Sequence, residues 1–386
     1  MKSSYDVIVI GLGGMGSSAA CQLAARGRKV LGLERFKPAH DRGSSHGGSR
    51  IIRLAYYEGP DYVPLLLRAY ELWQQIERES GRTLLTITGG LMLGPVGSDL
   101  VAGSLRSAQA HGLSYELLDG DEIRRRFPPL RPEPDTIALF EAKAGLLKPE
   151  EAVSAYLNRA GFLGAELHFE EPVIDWRALR PGEGVEVQTA GGRYSAAQLV
   201  LTPGAWAPEL MADLGLPLEV TRQVMFWFEP LGGVEPFLPE RFPIYLWEPV
   251  GRRLFYGFPA IDGPKGGIKV AIHYGGVACT PDGIERQVHP QEVEEMRSYL
   301  ADRIPTLRGA LVDARTCMYT NTPDGHFVIG RHPHYPQVAL AAGFSGHGFK
   351  FVSVVGEILA DIVVQGSTRH SIERFSSTRF QSPHQS

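Results

Sequence analysis

Long apolar runs are missing from this sequence: nowhere do about 18 apolar residues follow one another, the length a membrane-spanning helix requires. Cysteine is scarce, with three in 386 residues: Cys21, Cys279 and Cys317, far apart and without a CxxC pair. That excludes a disulfide framework and a thiolate zinc site, and it fits a reducing compartment. There is no excess of positive charge. A formal net charge of -4 offers no field to nucleic acid or to an anionic membrane surface. The opening MKSSYDVIVIGLGGMG has no signal-peptide core before its glycines, and the final SPHQS carries no peroxisomal or lipid-attachment signal. A soluble, cytoplasmic protein is the expectation. Repeats and low-complexity linkers are absent too.

What is present is the balance of a globular protein, 43% hydrophobic and 21% charged, in a length that suggests about two domains at ~150 residues each. The pattern predicts a strand over 6–10, a glycine turn, a helix over 17–26 and a second strand over 29–33. That is a βαβ unit and implies parallel pairing. A helix is predicted over 63–80, where Leu65, Ala69, Leu72 and Ile76 share a face and Gly81 is the stop. Residues 85–145 are mixed. Helical pattern returns near 150, VEVQTA (185–190) and SAAQLVLT (195–202) read as sheet, and 218–280 is strongly β-like. A helix over 289–304 and a last one over 351–365, ended by Gly366, complete the order. Nucleotide-type elements at both ends with β-rich chain between them imply a discontinuous nucleotide domain with an inserted substrate domain.

Gly11, Gly13 and Gly16 form a GxGxxG turn between the first strand and the first helix. The first glycine makes the tight turn, the second admits a pyrophosphate close to the backbone, and the third lets the helix pack. The helix N-terminus offers free amides and positive dipole to the phosphates. Glu34, at the end of the second strand, stands where a carboxylate would hold a ribose hydroxyl and repel a 2′-phosphate. This turn does not choose between NAD and FAD.

Three further stretches do: SSHGGSRIIR (44–53), TCMYTNTPDGHFVIG (316–330) and GFSGHGFKF (343–351). With them the chain resembles the monomeric sarcosine oxidase and N-methyltryptophan oxidase family of flavoenzymes, from the first strand to FSSTRFQ near the end. The resemblance implies an α/β fold: a discontinuous Rossmann-type FAD-binding domain (1–86, 146–217 and 320–386) and a second, β-rich substrate and catalytic domain (87–145 and 218–319). It implies covalent FAD, 8α-S-cysteinyl at Cys317, with Gly11, Gly13, Gly16, Glu34, Ser49, Val173, Gly348 and Lys350 as further cofactor contacts. Arg53 and Lys350 would bind the substrate carboxylate, through a planar guanidinium and a point ammonium. Tyr319, Gly346 and Leu246 would complete the substrate pocket, with Trp247 beside Leu246. Lys269 would stand where dioxygen is reduced, and His46, Arg50, His273 and Tyr256 close to the flavin or substrate. The family's common SHHGDTR appears here as SSHGGSR, so Ser45, Gly48 and Ser49 depart from it and Arg50 has one acid fewer nearby.

Each of these residues also has an ordinary structural explanation. A free cysteine is usually an inert buried group, which is the reading for Cys21 and Cys279. Arg50 and Arg53, three apart, share a face if Ser49 caps a helix, with His46 a turn earlier. In GGIKVAIHYGG the apolar Ile268, Val270 and Ile272 alternate with Lys269, Ala271 and His273, and such a polar face is commonly in water. Gly346 and Gly348 would let substrate and flavin approach the backbone ahead of the last helix, whose positive end would face charge on the reduced ring.

The resemblance therefore implies a monomeric oxidase of secondary or tertiary amino acids, sarcosine or another N-methyl compound. Its partners would be a small amino acid and dioxygen, without nucleic acid, membrane or metal. The alternatives are an oxidase or dehydrogenase of cyclic imino acids of the proline or pipecolate type, and a non-catalytic FAD-binding subunit.

Overall fold

The structure is a computed structural model and describes residues 5–180 and 183–380. The SPHQS tail lies outside the described residues. The first strand, Tyr5–Ile10, is buried along its last four residues, as a strand covered on both faces must be. It lies between Val30–Leu33 and Arg193–Leu201, parallel to both, with Ile8 opposite Leu31 on one side and Leu199 on the other. Glu166–His168 extends the parallel order beyond Val30–Leu33. On the far side, Val338–Ala342 pairs in parallel with the end of Arg193–Leu201, and the hairpin Val173–Ala178/Val185–Thr189 pairs with its start.

Three helices, Gly14–Ala25, Pro149–Phe162 and Val352–Gln365, pack over this sheet in one large apolar cluster. The last is buried from Val352 to Val363, nearly around its circumference. Small residues set its approach to the first helix. A Cβ on Gly356 would come within 2.7 Å of the Ser18 Cβ.

The second large sheet is mostly antiparallel. Its centre is Glu219–Phe228, paired with Ile268–Ile272 on one side and Leu311–Asn321 on the other, with Thr221 opposite Tyr319 and Gln223 opposite Cys317. Phe255–Gly257, Ile244–Trp247, Gly90–Pro95 and Thr136–Glu141 follow in order. A small third sheet joins Arg50–Ile52, Gly145–Leu147 and Leu85–Ile87, all antiparallel.

Local expectations changed in three places. Residues 50–52 are a strand and not a helix, so Arg50 and Arg53 do not share a helical face. Their apolar partners Leu146 and Leu147 lie nearly a hundred residues away, and that pairing overrides the local spacing. The strand carrying Lys269 has both faces covered: Lys269 is 3% exposed and His273 6%. The mixed region 85–145 resolves into short strands around the helices Asp99–Ala110 and Gly120–Arg126.

Candidate active site

One cleft of about 360 Å³ runs from the glycine turn to the end of the Leu311–Asn321 strand. At one end lie Gly11, Gly13, Glu34 and Val173, and at the other Arg50, Arg53, Leu246, Tyr256, His273, Cys317, Tyr319, Gly346, Gly348 and Lys350. The turn is shaped as a phosphate cradle. Gly11 has φ +85°, and a Cβ on Gly16 would meet the Gly11 carbonyl carbon at 2.9 Å, so a side chain is excluded from both. At Gly13 the nearest atom to such a Cβ is 3.9 Å away, leaving the backbone open to a ligand. Glu34 accepts from the amides of Leu12 (2.8 Å) and Phe36 (3.0 Å), which fixes its carboxylate at the cleft wall. Ser45, one of the departures, receives the Gly14 amide at 3.2 Å and so belongs to the turn. An elongated cleft with a phosphate cradle, a carboxylate past the second strand and a thiol beyond fits a flavin dinucleotide.

Cys317 is 3% exposed, in a pocket made with Met225, Trp227, Ala271 and Tyr256. An Arg50 guanidinium nitrogen lies 3.6 Å from its sulfur, and Arg50 donates to the Ser49 and Ser44 carbonyls at 2.8 Å each. Lys269 is buried and not among the residues lining the cleft, with its Nζ 4.8 Å from the centre of the Phe258 ring. Its Nζ donates to the carbonyls of Gly47 (2.7 Å) and Ser49 (2.8 Å) and reaches the Ser49 hydroxyl at 3.2 Å. Ser49 therefore faces the lysine. Burial, reinforced by Arg50, pulls the Lys269 ammonium well below its usual pKa. His46, likewise not among the lining residues, has both ring nitrogens buried without a hydrogen-bond partner. Burial and Arg50 lower it to about 3, so it is neutral.

Arg53 and Lys350, the two cations expected to hold a carboxylate, both lie against Tyr56. The Arg53 guanidinium lies 4.3 Å from the Tyr56 ring centre and the Lys350 ammonium 5.1 Å, so one aromatic ring contacts both cations. Lys350 donates to the His347 carbonyl at 2.7 Å and the Tyr56 hydroxyl at 3.3 Å. Arg53, 1% exposed, donates to the Ala55 carbonyl (2.8 Å) and to Glu58 (2.7 Å), while its Nε has no partner. Burial and then Arg53 bring Lys350 down to about 7. His273, held neutral by burial with a pKa of about 3, shares a 3.2 Å hydrogen bond with the Tyr319 hydroxyl. Burial also raises the hydroxyls of Tyr256 and Tyr319.

Gly346 and Gly348 line the cleft and also make room for neighbouring side chains. A Cβ on Gly346 (φ +76°) would lie 2.5 Å from the Tyr319 ring, and one on Gly348 2.5 Å from Phe344. A 3-10 turn, Phe349–Phe351, separates them from the last helix. Trp247 points away from Leu246 into the second sheet's core, stacked on Phe255. Sequence reasoning missed Tyr56, Glu58 and Glu141. Tyr56 and Glu58 follow Arg53 within five residues, and a buried arginine demands an acid. Glu141 arrives from another sheet to accept the Leu54 and Ala55 amides at 2.8–3.0 Å, and no local signal announces it.

Fold and cleft together define a dinucleotide-dependent oxidoreductase, and comparison with known proteins narrows this. The model of the FAD dependent oxidoreductase family matches residues 6–362. Monomeric sarcosine oxidase of Streptomyces avermitilis is 57% identical over 98% of each chain. N-methyl-L-tryptophan oxidase of Salmonella arizonae is 34% identical over 97% of this chain and 99% of its own. Among solved structures, NikD, an unusual amino acid oxidase essential for nikkomycin biosynthesis, superimposes with a TM-score of 0.84 at 26% identity, covering 97% of this chain and 98% of its own. The chain belongs to the FAD dependent oxidoreductase family, within its sarcosine oxidase and N-methyltryptophan oxidase group, and is a flavin-dependent amine oxidoreductase.

Proposed function

We propose that this enzyme oxidises a secondary or tertiary amino acid, sarcosine or another N-methyl amino acid, to an imine that hydrolyses, with dioxygen reduced to hydrogen peroxide. The observation that carries this reading is the pair Arg53 and Lys350, buried in one cleft with Cys317 and braced on Tyr56. A substrate carboxylate placed between them meets two fixed cations and displaces little water. Glu58 already occupies one edge of Arg53, so the substrate takes the unpartnered Nε edge or competes with Glu58. Bound FAD supplies a two-electron acceptor for the substrate's C–H hydride equivalent. Tyr256, Tyr319 and Leu246 limit the space around the amine.

The same reading tethers FAD by a thioether at Cys317. Cys317 would hold the group through this bond, whose formation would cost the thiol proton and one methyl proton, with dioxygen as acceptor of the two electrons. Arg50, 3.6 Å from the sulfur, stabilises negative charge as the bond forms. Lys269, when protonated, would supply the positive charge beside which dioxygen is reduced. The large parallel sheet would be the FAD domain and the antiparallel sheet the substrate domain, in a monomer of the cytoplasm.

Anaerobic mixing with a panel of N-methyl and cyclic amino acids tests the substrate class. Bleaching of the flavin by N-methyl amino acids is expected. Bleaching by proline or pipecolate alone would move the assignment to cyclic imino acids, and no bleaching by any member would overturn it. Colour retained in the acid-precipitated pellet is expected of the tether, and a colourless pellet refutes it.

A further inference from the structure

Lys269 is buried and Arg50 half-buried on the cleft wall, and among the described residues both hydrogen-bond only to uncharged carbonyl, hydroxyl and sulfur groups. Negative charge reaches them from the opposite side of the 47–49 turn. Glu150, in the first turn of the helix Pro149–Phe162, accepts from the Gly47 amide at 2.6 Å and from the Gly48 amide at 3.2 Å. Gly47 and Gly48 have φ +94° and +77°, a conformation that only glycine adopts freely. The amide of Gly48 and the carbonyl of Gly47 belong to one peptide unit. Its N–H therefore points at the Glu150 carboxylate and its C=O, 2.7 Å from Nζ, at Lys269. Carboxylate, peptide dipole and ammonium stand in series, an order in which each member polarises the next.

We propose that Glu150 is a positioning residue for Lys269: through the single peptide unit joining Gly47 and Gly48 it fixes the carbonyl that takes the ammonium and gives the two cations their counter-charge. This rests on the reading of Lys269 as the charge beside which dioxygen is reduced. The groups facing Lys269 are Arg50 and His46 on the turn's own segment, Cys317 two strands across the sheet, Asp262 in the preceding loop, and Glu150. Asp262 is exposed, so solvent screens it, whereas Glu150 acts through a bonded path. Glu150→Gln keeps an oxygen for the two amides and deletes only the charge. With less negative charge nearby, the ammonium is lost at lower pH.

The test follows the Lys269 resonance in 15N-lysine-labelled oxidised holoenzyme against pH, assigned by its disappearance in Lys269→Met, beside flavin reoxidation by air after anaerobic reduction. In Glu150→Gln the resonance midpoint should fall by about one pH unit. The pH at which reoxidation slows should fall with it, and the rate of anaerobic reduction should be unchanged. Glu150→Asp, which keeps the charge, should restore most of both. An unshifted Lys269 midpoint in Glu150→Gln overturns the role of Glu150. Should that variant not accumulate as holoenzyme, Glu150→Ser, with room for water at the amides, is read in the same way. Unchanged reoxidation in Lys269→Met instead overturns the dioxygen reading, and the resonance midpoint still decides for Glu150.

Discussion

With 5% of its surface exposed and the Arg53 guanidinium nearby, Lys350 is brought down to about 7, and its charge changes around neutral pH. Its folded value is depressed, so the ammonium is present below about pH 7 and lost above it. A carboxylate ligand favours the charged form and takes up a proton when it binds the neutral one. The dissociation constant of a small carboxylic acid without an amine should rise above pH 7 by roughly tenfold per pH unit, read from its perturbation of flavin absorbance. Lys350→Met should bind weakly and without that dependence. A constant flat from pH 6 to 9 in the unaltered enzyme would show that Lys350 does not hold the carboxylate.

Among the elements, the seam between first and last helix is the most exacting. Gly356 leaves no room for a methyl group against Ser18, whose Cβ and backbone carbon would both lie 2.7 Å from it. Gly356→Ala gains about 1 kcal/mol of helix propensity but forces the helices apart at about 1–3 kcal/mol. A net loss is expected, seen as a lower urea midpoint with the slope unchanged. Such a seam is partly legible beforehand: the GxGxxG turn, Glu34 after the second strand and the apolar face of the last helix are all local patterns. The strand Arg50–Ile52 was not legible, because charges three apart fit a helix and only the remote Gly145–Leu147 makes them a strand. Lys269, His46 and Ser49 were found as residues but not as buried groups outside the cleft lining, since alternation along a strand does not say what covers its polar face. Glu141 and Glu150 had no signal, because each acts on backbone amides of another segment.

For the molecule as a whole, acid should be the destabilising direction. Burial holds His46 and His273 at about 3 and His347 at about 4, below the ~6.5 of an unfolded chain. Between those values the unfolded state binds protons that the folded state refuses. Stability is therefore fully present above about pH 6.5 and declines as pH falls through the window, by about 1.4 kcal/mol per pH unit for each such histidine. Denaturant midpoints at pH 5 should lie clearly below those at pH 7, and equal midpoints would mean that these imidazoles are charged in the fold. The pairing of Val338–Ala342 with Leu199–Leu201 has a consequence in time as well. While the chain emerges from the ribosome, the nucleotide-side sheet lacks this strand, and the loop bearing Lys350 is still to come. Cys317 is translated before its cavity can close, so flavin capture belongs to the finished polypeptide and not to the nascent one.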